Sequence, residues 1–165
     1  MTLAGAIATV AGVGYLRPAP GTWGSLAALP LAWGLHVAGG FPALALASLL
    51  AFAAGWWATV QMTAGASDHD PSEIVVDEVV GQWIALLALS WPAWTMQIDI
   101  LRLWPGWIAA FVLFRLFDIL KPGPVGWADR RNDPLGVMLD DVIAGALAAI
   151  GVVALAGIWH GVLGW

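Results

Sequence analysis

The segment VIAGALAAIGVVALAGIWHGVL, residues 142–163, decides the fold class. It contains no aspartate, glutamate, lysine or arginine, and it exceeds the roughly 20 apolar residues that a helix needs to cross a bilayer. In lipid, the backbone of such a segment must satisfy its own hydrogen bonds, and a helix does so within one segment. The segment therefore predicts a helix that spans a membrane.

The composition of the whole chain agrees with a membrane protein. Of its 165 residues, 61% are hydrophobic and 10% are charged, and the mean hydropathy is +0.84. Soluble domains carry about 25% charged residues, so this chain lacks the polar surface of a water-soluble protein. The length predicts a single domain over residues 1–165. The absence of cysteine excludes thiolate nucleophiles and disulfides, and the net charge of −5 argues against nucleic acid as a partner.

Four more apolar stretches and an N-terminal segment complete the predicted architecture. The stretches are residues 24–37, 41–62, 79–94 and 104–120, of which only 41–62 has the length of a full span. Leu3, Ile7 and Val10 recur at helical spacing, which indicates a first helix on or partly in the membrane. The predicted fold class is all-α: a polytopic membrane helical bundle with four or five spans and an N-terminal interfacial helix.

The acidic residues are concentrated in two polar stretches. Apart from Asp99, all of them lie within residues 67–78 or 118–141. Two apolar segments separate these stretches, so the chain is expected to cross the membrane twice between them. Both acidic stretches should therefore lie on the same membrane face.

The turn between the two crossings has a different composition. Residues 91–107 are rich in tryptophan and proline, which is typical of a membrane interface. Lys121, Arg130 and Arg131 lie on the acidic face, whereas Arg102 stands alone on the other. Short cytoplasmic loops carry an excess of lysine and arginine. The acidic face is therefore predicted to be cytoplasmic.

Carboxylates gather at three consecutive predicted helix ends. Asp77 and Glu78 begin the third span, Asp118 lies near the end of the fourth, and Asp140 and Asp141 open the fifth. Close carboxylates repel one another unless a cation compensates, and Mg²⁺ takes oxygen ligands from a few carboxylates and from substrate phosphates. Ionisable residues at a membrane edge are costly, so a functional site is the favoured interpretation of the set. For each acid alone, a helix cap is the alternative.

The other acids in these two stretches are not assigned to the metal site. Glu73 precedes Asp77 by four residues, which predicts that the two share one face of the third span. Four further loop acids are expected to be solvated: Asp68, Asp70, Asp129 and Asp133.

The segment RPAPGTWGS, residues 17–25, precedes the first predicted span. Its prolines and glycines predict a turn, and Thr22 or Ser25 is a candidate cap for the helix that follows. Free N–H groups at a helix start bind phosphate, which makes Arg17, Thr22 and Ser25 candidate substrate-binding residues. On the pattern alone, an ordinary helix-entry turn is the favoured interpretation.

Basic residues close to the acids are further candidates for binding phosphate. Arg115 and Lys121 flank Asp118, where they either hold a phosphate or neutralise the carboxylates, and Arg130 could hold the remaining phosphate charge. The three histidines are far apart in the sequence, and His36 and His160 are expected toward the other membrane face from His69, which leaves no histidine pair for phosphoryl chemistry.

Four strings of this sequence closely resemble the phosphatidylglycerophosphatase A family. They are PGTWGS (20–25), DPSEIVVDEVVGQWIA (70–85), FRLFDILKPGPVGWADRR (114–131) and LGVMLDDVIAG (135–145). The strings are long and stand in the expected order, and the resemblance extends over residues 8–151.

The resemblance implies a function and a set of site residues. Members of this family look like Mg²⁺-dependent, multi-pass enzymes of the bacterial inner membrane that convert phosphatidylglycerophosphate in the bilayer to phosphatidylglycerol. The metal-binding residues implied are Asp77, Glu78, Asp118, Asp140 and Asp141, and all of these except Asp140 are also expected to be catalytic. One carboxylate would serve as a general base or as a covalent nucleophile, and the sequence leaves both open.

Two other functions are weighed against this one. A divalent-cation transporter or channel with an acidic mouth would need polar groups through the membrane depth, whereas the acids here gather at one edge. A CDP-alcohol phosphotransferase is the nearest other enzyme class, but its spaced Asp-Gly…Ala-Arg…Gly…Asp…Asp pattern is absent from the sequence.

Overall fold

The computed structural model describes residues 1–65 and 71–163, apart from the side chains at positions 160, 162 and 163. Every regular element in this part of the chain is helical, which confirms the all-α prediction for it. Asp68, His69 and Asp70 lie outside the described residues. The elements are α1 (Leu3–Ala8), a 3₁₀ turn (Val13–Tyr15), α2 (Pro20–Met62), α3 (Val76–Thr95), a second 3₁₀ turn (Ile100–Leu103), α4 (Trp104–Leu120), α5 (Pro124–Asp129) and α6 (Pro134–Leu163).

The helix α2 consists of two antiparallel arms. Gly39 and Gly40 depart from helical backbone angles, and Gly40 has a φ of +66°, a conformation that favours glycine. Gly24 lies against Val75, the residue before α3, and Gly40 lies against Trp94 near the end of α3. Gly55 lies against Val76, the first residue of α3. The chain therefore reverses direction at residues 39–40, between the two stretches that the sequence predicts as separate spans.

The helix α3 lies at the centre of the bundle. Twelve of its 20 residues are buried, and it packs against α2, α4 and α6. The indole N–H of Trp83 donates to the carbonyl of Ala28 in the first arm of α2 at 2.9 Å. On its other side, Gly81 lies so close to Gly145 that no side chain fits between α3 and α6. This close approach brings the first turns of α3 next to the acidic part of α6.

Within the described residues, three helical segments are long and apolar enough to cross a membrane: Pro20–Met62, Ile100–Leu120 (the second 3₁₀ turn together with α4) and Pro134–Trp159. Central α3 is not among them, because Asp77, Glu78 and Gln82 lower its hydropathy. Neighbouring helices cover most of its surface, so it does not need an apolar face toward lipid. The predicted membrane character is thus supported, while the number of spans stays a prediction.

The N-terminal segment packs onto the start of α3. Helix α1 covers only Leu3–Ala8, so Leu3 and Ile7 are helical as predicted, whereas Val10 lies beyond the helix with a φ of +49°. The backbone N–H of Val75 donates to the carbonyl of Ala8 at 2.9 Å. The location of α1 at the membrane interface stays a prediction.

Some of the predicted helix boundaries are wrong. The predicted span 104–120 coincides with α4, but α6 begins at Pro134, eight residues before the predicted start at 142. Asp133 accepts a hydrogen bond from the backbone N–H of Gly136 at 2.6 Å, so it caps α6, and proline is favoured at the next position. Asp140 and Asp141 therefore lie about two turns inside the helix instead of opening it.

The region before α3 also differs from the prediction. Glu73 lies in a turn three residues before the helix begins at Val76, so it does not share a helical face with Asp77. The stretch between α4 and α6, predicted as a loop, contains the short helix α5.

Aromatic side chains gather at the end of the bundle opposite Asp77, Asp140 and Asp141. The rings of Phe41, Trp91 and Trp94 form a cluster with centroids 5.1–6.5 Å apart, beside the reversal of α2. Asp99 caps the second 3₁₀ turn by accepting from the N–H of Leu101 at 2.9 Å. Asp99 therefore has a local structural role at the end of the bundle opposite the other acids that the structure describes.

Candidate active site

A cavity of about 360 Å³ lies among the ends of four helices. Its walls come from the start of α2, the first turn of α3, the last turns of α4 and the second turn of α6. All five predicted acids line it: Asp77, Glu78, Asp118, Asp140 and Asp141. The two acidic stretches therefore share one end of the bundle, as predicted from the number of crossings.

Three of these acids form the tightest group. Carboxylate oxygens of Asp77, Glu78 and Asp141 all lie within 4.8 Å of one another. Asp77 and Asp141 are 6% and 3% exposed, so water screens this cluster poorly. The group joins the first turn of α3 to α6, which the close packing of Gly81 against Gly145 makes possible.

Two buried oxygens of this group bear on whether it could hold a cation. Among the described residues, Glu78 Oε2 and Asp141 Oδ1 have no hydrogen-bond partner. Buried polar atoms normally have partners, so such exceptions point to a missing ligand. An all-oxygen donor set of three carboxylates suits a hard divalent cation such as Mg²⁺. These residues therefore fit the predicted metal.

Asp118 and Asp140 line the same cavity, and each forms a close ion pair with a basic side chain. Arg115 Nη1 donates to Asp118 Oδ2 one turn along α4 and also lies 3.9 Å from Glu78 Oε1. Lys121 Nζ donates to Asp140 Oδ2 at 3.0 Å and to Asp129 Oδ1. The cavity thus combines an anionic cluster with two cationic groups.

Lys121 links three elements beside the cavity. It follows α4 with a left-handed backbone, and its two carboxylate partners lie on α5 and α6. Burial by itself lowers the pKa of Lys121, but the carboxylates of Asp129 and Asp140 outweigh that effect and raise the pKa above its usual value. Lys121 therefore remains a cation at neutral pH.

The exposed acids of this region have local partners. The side chain of Asp129 is 39% exposed and pairs with Lys121, and that of Asp133 is 42% exposed and pairs with Arg131 at 3.0 Å. The Gly136 N–H lowers the pKa of Asp133 below its usual value. Neither acid lines the cavity.

The start of α2 forms one wall of the cavity through Ala19, Pro20 and Gly21. The N-cap is Ala19 and receives no side-chain bond, so the predicted capping by Thr22 or Ser25 is wrong. Ser25 is fully buried, and its hydroxyl donates to the carbonyl of Gly21 at 2.9 Å. Its position one turn inside the helix explains this bond.

Gly21 allows this wall to approach the acids closely. A Cβ at position 21 would overlap Glu78 Oε1 and would lie 3.1 Å from Arg115 Nη1. The backbone at the start of α2 therefore touches both the anionic cluster and the guanidinium group. Any side chain larger than hydrogen at this position displaces at least one of the two.

Comparisons with known proteins identify the family. A family model described as Phosphatidylglycerophosphatase A matches residues 6–156. Phosphatidylglycerophosphatase A of Haemophilus influenzae is 40% identical over 146 residues, which cover 87% of this chain and 83% of the relative. Phosphatidylglycerophosphatase A of Escherichia coli is 36% identical over 140 residues, which cover 84% and 74%. The chain belongs to the phosphatidylglycerophosphatase A family.

A third relative of this phosphatidylglycerophosphatase A family member carries a different name. A protein of Bacteroides thetaiotaomicron, named provisionally as a phosphatidylinositol-3-phosphatase, is 41% identical over 149 residues, which cover 87% of each chain. No solved structure matches this chain. The family predicted from the sequence is confirmed, and with it the assignment to a family of phosphatase enzymes. The alternative of a cation transporter or channel finds no support in these comparisons.

The family match covers every element that lines the cavity. Of the six basic or hydroxyl residues predicted to bind substrate, Arg115 and Lys121 line it. Arg17 lies just outside, where its Nη1 donates to the hydroxyl of the lining residue Ser72 at 3.1 Å. The other three do not line it: Thr22, Ser25 and Arg130.

The sequence-based prediction did not single out Ser72 or Gly21 as residues of the cavity. Both lie within the strings that resemble the family, which was the available signal, but a single serine in a turn or a single glycine does not by itself mark a site. Their role depends on which helices are neighbours, and a single sequence does not contain that information.

Proposed function

We propose that this phosphatidylglycerophosphatase A family member is a Mg²⁺-dependent lipid phosphatase that hydrolyses phosphatidylglycerophosphate to phosphatidylglycerol and phosphate in this cavity. The observation that carries the proposal is the cluster of Asp77, Glu78 and Asp141, with two buried oxygens lacking partners, in the same cavity as the guanidinium of Arg115. The names of two relatives support the substrate.

The cation would be held by the carboxylates of Asp77, Glu78 and Asp141. When bound, Mg²⁺ supplies positive charge to the phosphoryl oxygens and orients water, which is most of what phosphoryl transfer requires. Asp118 and Asp140 lie on the same cavity but carry their own cations. We therefore place Asp118 and Asp140 around the reacting phosphate, and not among the three carboxylates that would bind the cation.

The phosphate group would be bound by cationic side chains and by the start of α2. Arg115 can direct its guanidinium to a phosphate oxygen, and Lys121 adds a second positive charge. The first turn of a helix leaves N–H groups without helical partners; Pro20 has none to offer, so the lining residue Gly21 would supply one, and Thr22 remains a candidate from the sequence alone. Arg17, Ser25 and Arg130 remain candidates from the sequence alone.

The reaction breaks the bond between phosphorus and the glycerol oxygen of the headgroup. An oxygen nucleophile forms a new bond to phosphorus, and the departing glycerol oxygen takes up a proton. Arg115 holds Asp118 in a fixed orientation beside the cavity. We therefore assign Asp118 to activating the nucleophile or to acting as it. As a base, Asp118 takes a proton from the water that attacks phosphorus; as the attacking group, it forms an aspartyl phosphate that water then cleaves to release phosphate.

The name of the Bacteroides relative defines the alternative substrate. Phosphatidylinositol 3-phosphate also carries a phosphomonoester on a polyol headgroup that a phosphodiester joins to diacylglycerol. A membrane-edge cavity with Arg115 and Lys121 suits that shared chemistry. We propose phosphatidylglycerophosphate as the preferred substrate, because two relatives carry its name.

The test is release of inorganic phosphate by the purified full-length chain. We expect release from phosphatidylglycerophosphate in mixed micelles with Mg²⁺, loss of release with EDTA, and recovery when Mg²⁺ is returned in excess. Phosphatidylinositol 3-phosphate and phosphatidic acid, assayed in parallel, should be hydrolysed more slowly. Undiminished release in EDTA would contradict the metal dependence, and faster release from phosphatidylinositol 3-phosphate would contradict the substrate.

We further propose five crossings of a bacterial inner membrane, by the two arms of α2, by α3, by α4 and by α6, with the cavity on the cytoplasmic side. Arg17, Lys121, Arg130 and Arg131 lie toward the cavity end, and Arg102 lies at the other. This distribution supports the orientation.

Single cysteines test this orientation, because the chain has none of its own. Trp127 and Met96 are 55% and 69% exposed at opposite ends of the bundle. In intact cells, an impermeant thiol reagent should label Met96→Cys, and it should label Trp127→Cys only after lysis. The reverse pattern would place the cavity outside the cytoplasm.

A further inference from the structure

Gln82 is a buried polar residue that the proposed chemistry does not use. Its side chain is fully buried in α3, and neither atom of its amide has a hydrogen-bond partner among the described residues. Burying an amide without partners is unfavourable, so each such case calls for an explanation. The other two glutamines of the chain, Gln61 and Gln97, are exposed.

The position of Gln82 connects it to the cavity. It follows Glu78 by four residues on the same helix, so the two side chains are neighbours on one face. Glu78 Oε2 is a buried acceptor without a partner, and the amide of Gln82 is a buried donor without one. A further buried donor, Arg115 Nε, also lacks a partner, and Arg115 Nη1 lies 3.9 Å from Glu78 Oε1. The atoms lacking partners are therefore concentrated around Glu78.

We infer that Gln82 is a positioning residue for the metal site. Rotation of its side chain lets the amide N–H donate to Glu78 Oε2, which fixes the orientation in which Glu78 presents its carboxylate to the cation. Residues that hold metal ligands in place commonly change metal affinity by about tenfold or more when they are replaced. The inference rests on the proposed function, because it takes Glu78 as a ligand.

Thr59 provides a matched comparison. Its hydroxyl is also fully buried and without a partner among the described residues, but it lies in the second arm of α2 and does not line the cavity. If Gln82 were only a buried polar residue of the bundle, its replacement would affect the protein in the same way as the replacement of Thr59. A difference between the two in metal affinity identifies the positioning role.

The experiment measures metal affinity without turnover. Mn²⁺ serves as the probe, and the free ion is counted by electron paramagnetic resonance in titrations of purified full-length protein in detergent, without lipid substrate. We expect Gln82→Met to raise the Kd for Mn²⁺ about tenfold and Thr59→Val to leave it unchanged. Without metal, both variants should melt at or above the wild-type temperature, because each removes a buried polar group that has no hydrogen-bond partner among the described residues.

A second measurement uses the wild-type protein, so that the test does not depend on a variant that folds. Selective ¹⁵N labelling of glutamine gives three side-chain amide signals, and the Gln82 signal should gain protection from hydrogen exchange when Mg²⁺ is added. Equal Mn²⁺ affinity in Gln82→Met and wild type, or an unprotected Gln82 amide in wild type with Mg²⁺, overturns the inference. If the wild type binds no Mn²⁺ and releases no phosphate, the proposed function fails as well.

Discussion

Asp77→Asn, Glu78→Gln and Asp141→Asn should each lower turnover of phosphatidylglycerophosphate by about 10³-fold, and a double variant should lose little more than a single one. The three carboxylates lie within 4.8 Å of one another, and residues that share the proposed cation act as a unit, so the first loss removes most of what the others contribute. Turnover is measured as phosphate release at saturating Mg²⁺. The Mn²⁺ titration of the same variants should show weakened binding in all three.

Two further substitutions give this experiment its controls. Asp118→Asn should also lower turnover, but it should change Mn²⁺ affinity less, because Arg115 already pairs with this carboxylate. Asp99→Asn should leave both quantities near wild type, since Asp99 only caps a 3₁₀ turn at the other end of the bundle. Near wild-type turnover in all three cluster variants would place the site elsewhere, and additive losses in the double variant would argue against a shared cation.

The sequence was sufficient to predict that the acids lie together at one end of the bundle. Helix direction follows from counting crossings, so Asp77, Asp118 and Asp141 had to lie on one face if the apolar stretches between them crossed. The extent of α4 was also predicted: Pro105 stands in its first turn, a position that proline favours, and its apolar stretch ends before Lys121 and Pro122. The direction and extent of a helix depend on the composition of individual stretches, and not on which helices pack against one another.

The start of α6 was not predicted, because hydropathy marks where a helix enters lipid and not where it begins. The two turns from Pro134 to Asp140 are helical and largely apolar, but Asp140 and Asp141 interrupt the apolar sequence, so the uninterrupted run begins only at Val142. The combination of Asp133 and Pro134 is a recognised start signal for a helix. Giving that signal more weight than hydropathy would have placed Asp140 and Asp141 inside the helix.

The lateral neighbours of each helix could not be predicted either. The sequence groups five acids equally, whereas the structure separates a cluster of three from Asp118 and Asp140, each of which is paired with a cation. That separation depends on Gly81 packing against Gly145 and on Gly21 packing against Glu78. Contacts of this kind arise between helices that are distant in sequence, so periodicity and composition within one helix do not report them.

Gly21→Ala should lower turnover by about 10²-fold while the protein still folds. The new Cβ would overlap Glu78 Oε1 and lie 3.1 Å from Arg115 Nη1, so these side chains must move, and a displacement of about 1 Å at a catalytic group costs roughly this factor. Both displaced groups are ends of flexible side chains, so the melting temperature should change little. Gly34→Ala in the same helix, where a Cβ meets nothing within 4 Å, is the matched control and should keep full turnover. Phosphate release and thermal unfolding of the two variants distinguish the outcomes: full turnover in Gly21→Ala would exclude this wall from the site, whereas equal losses in both variants would point to a general effect on α2.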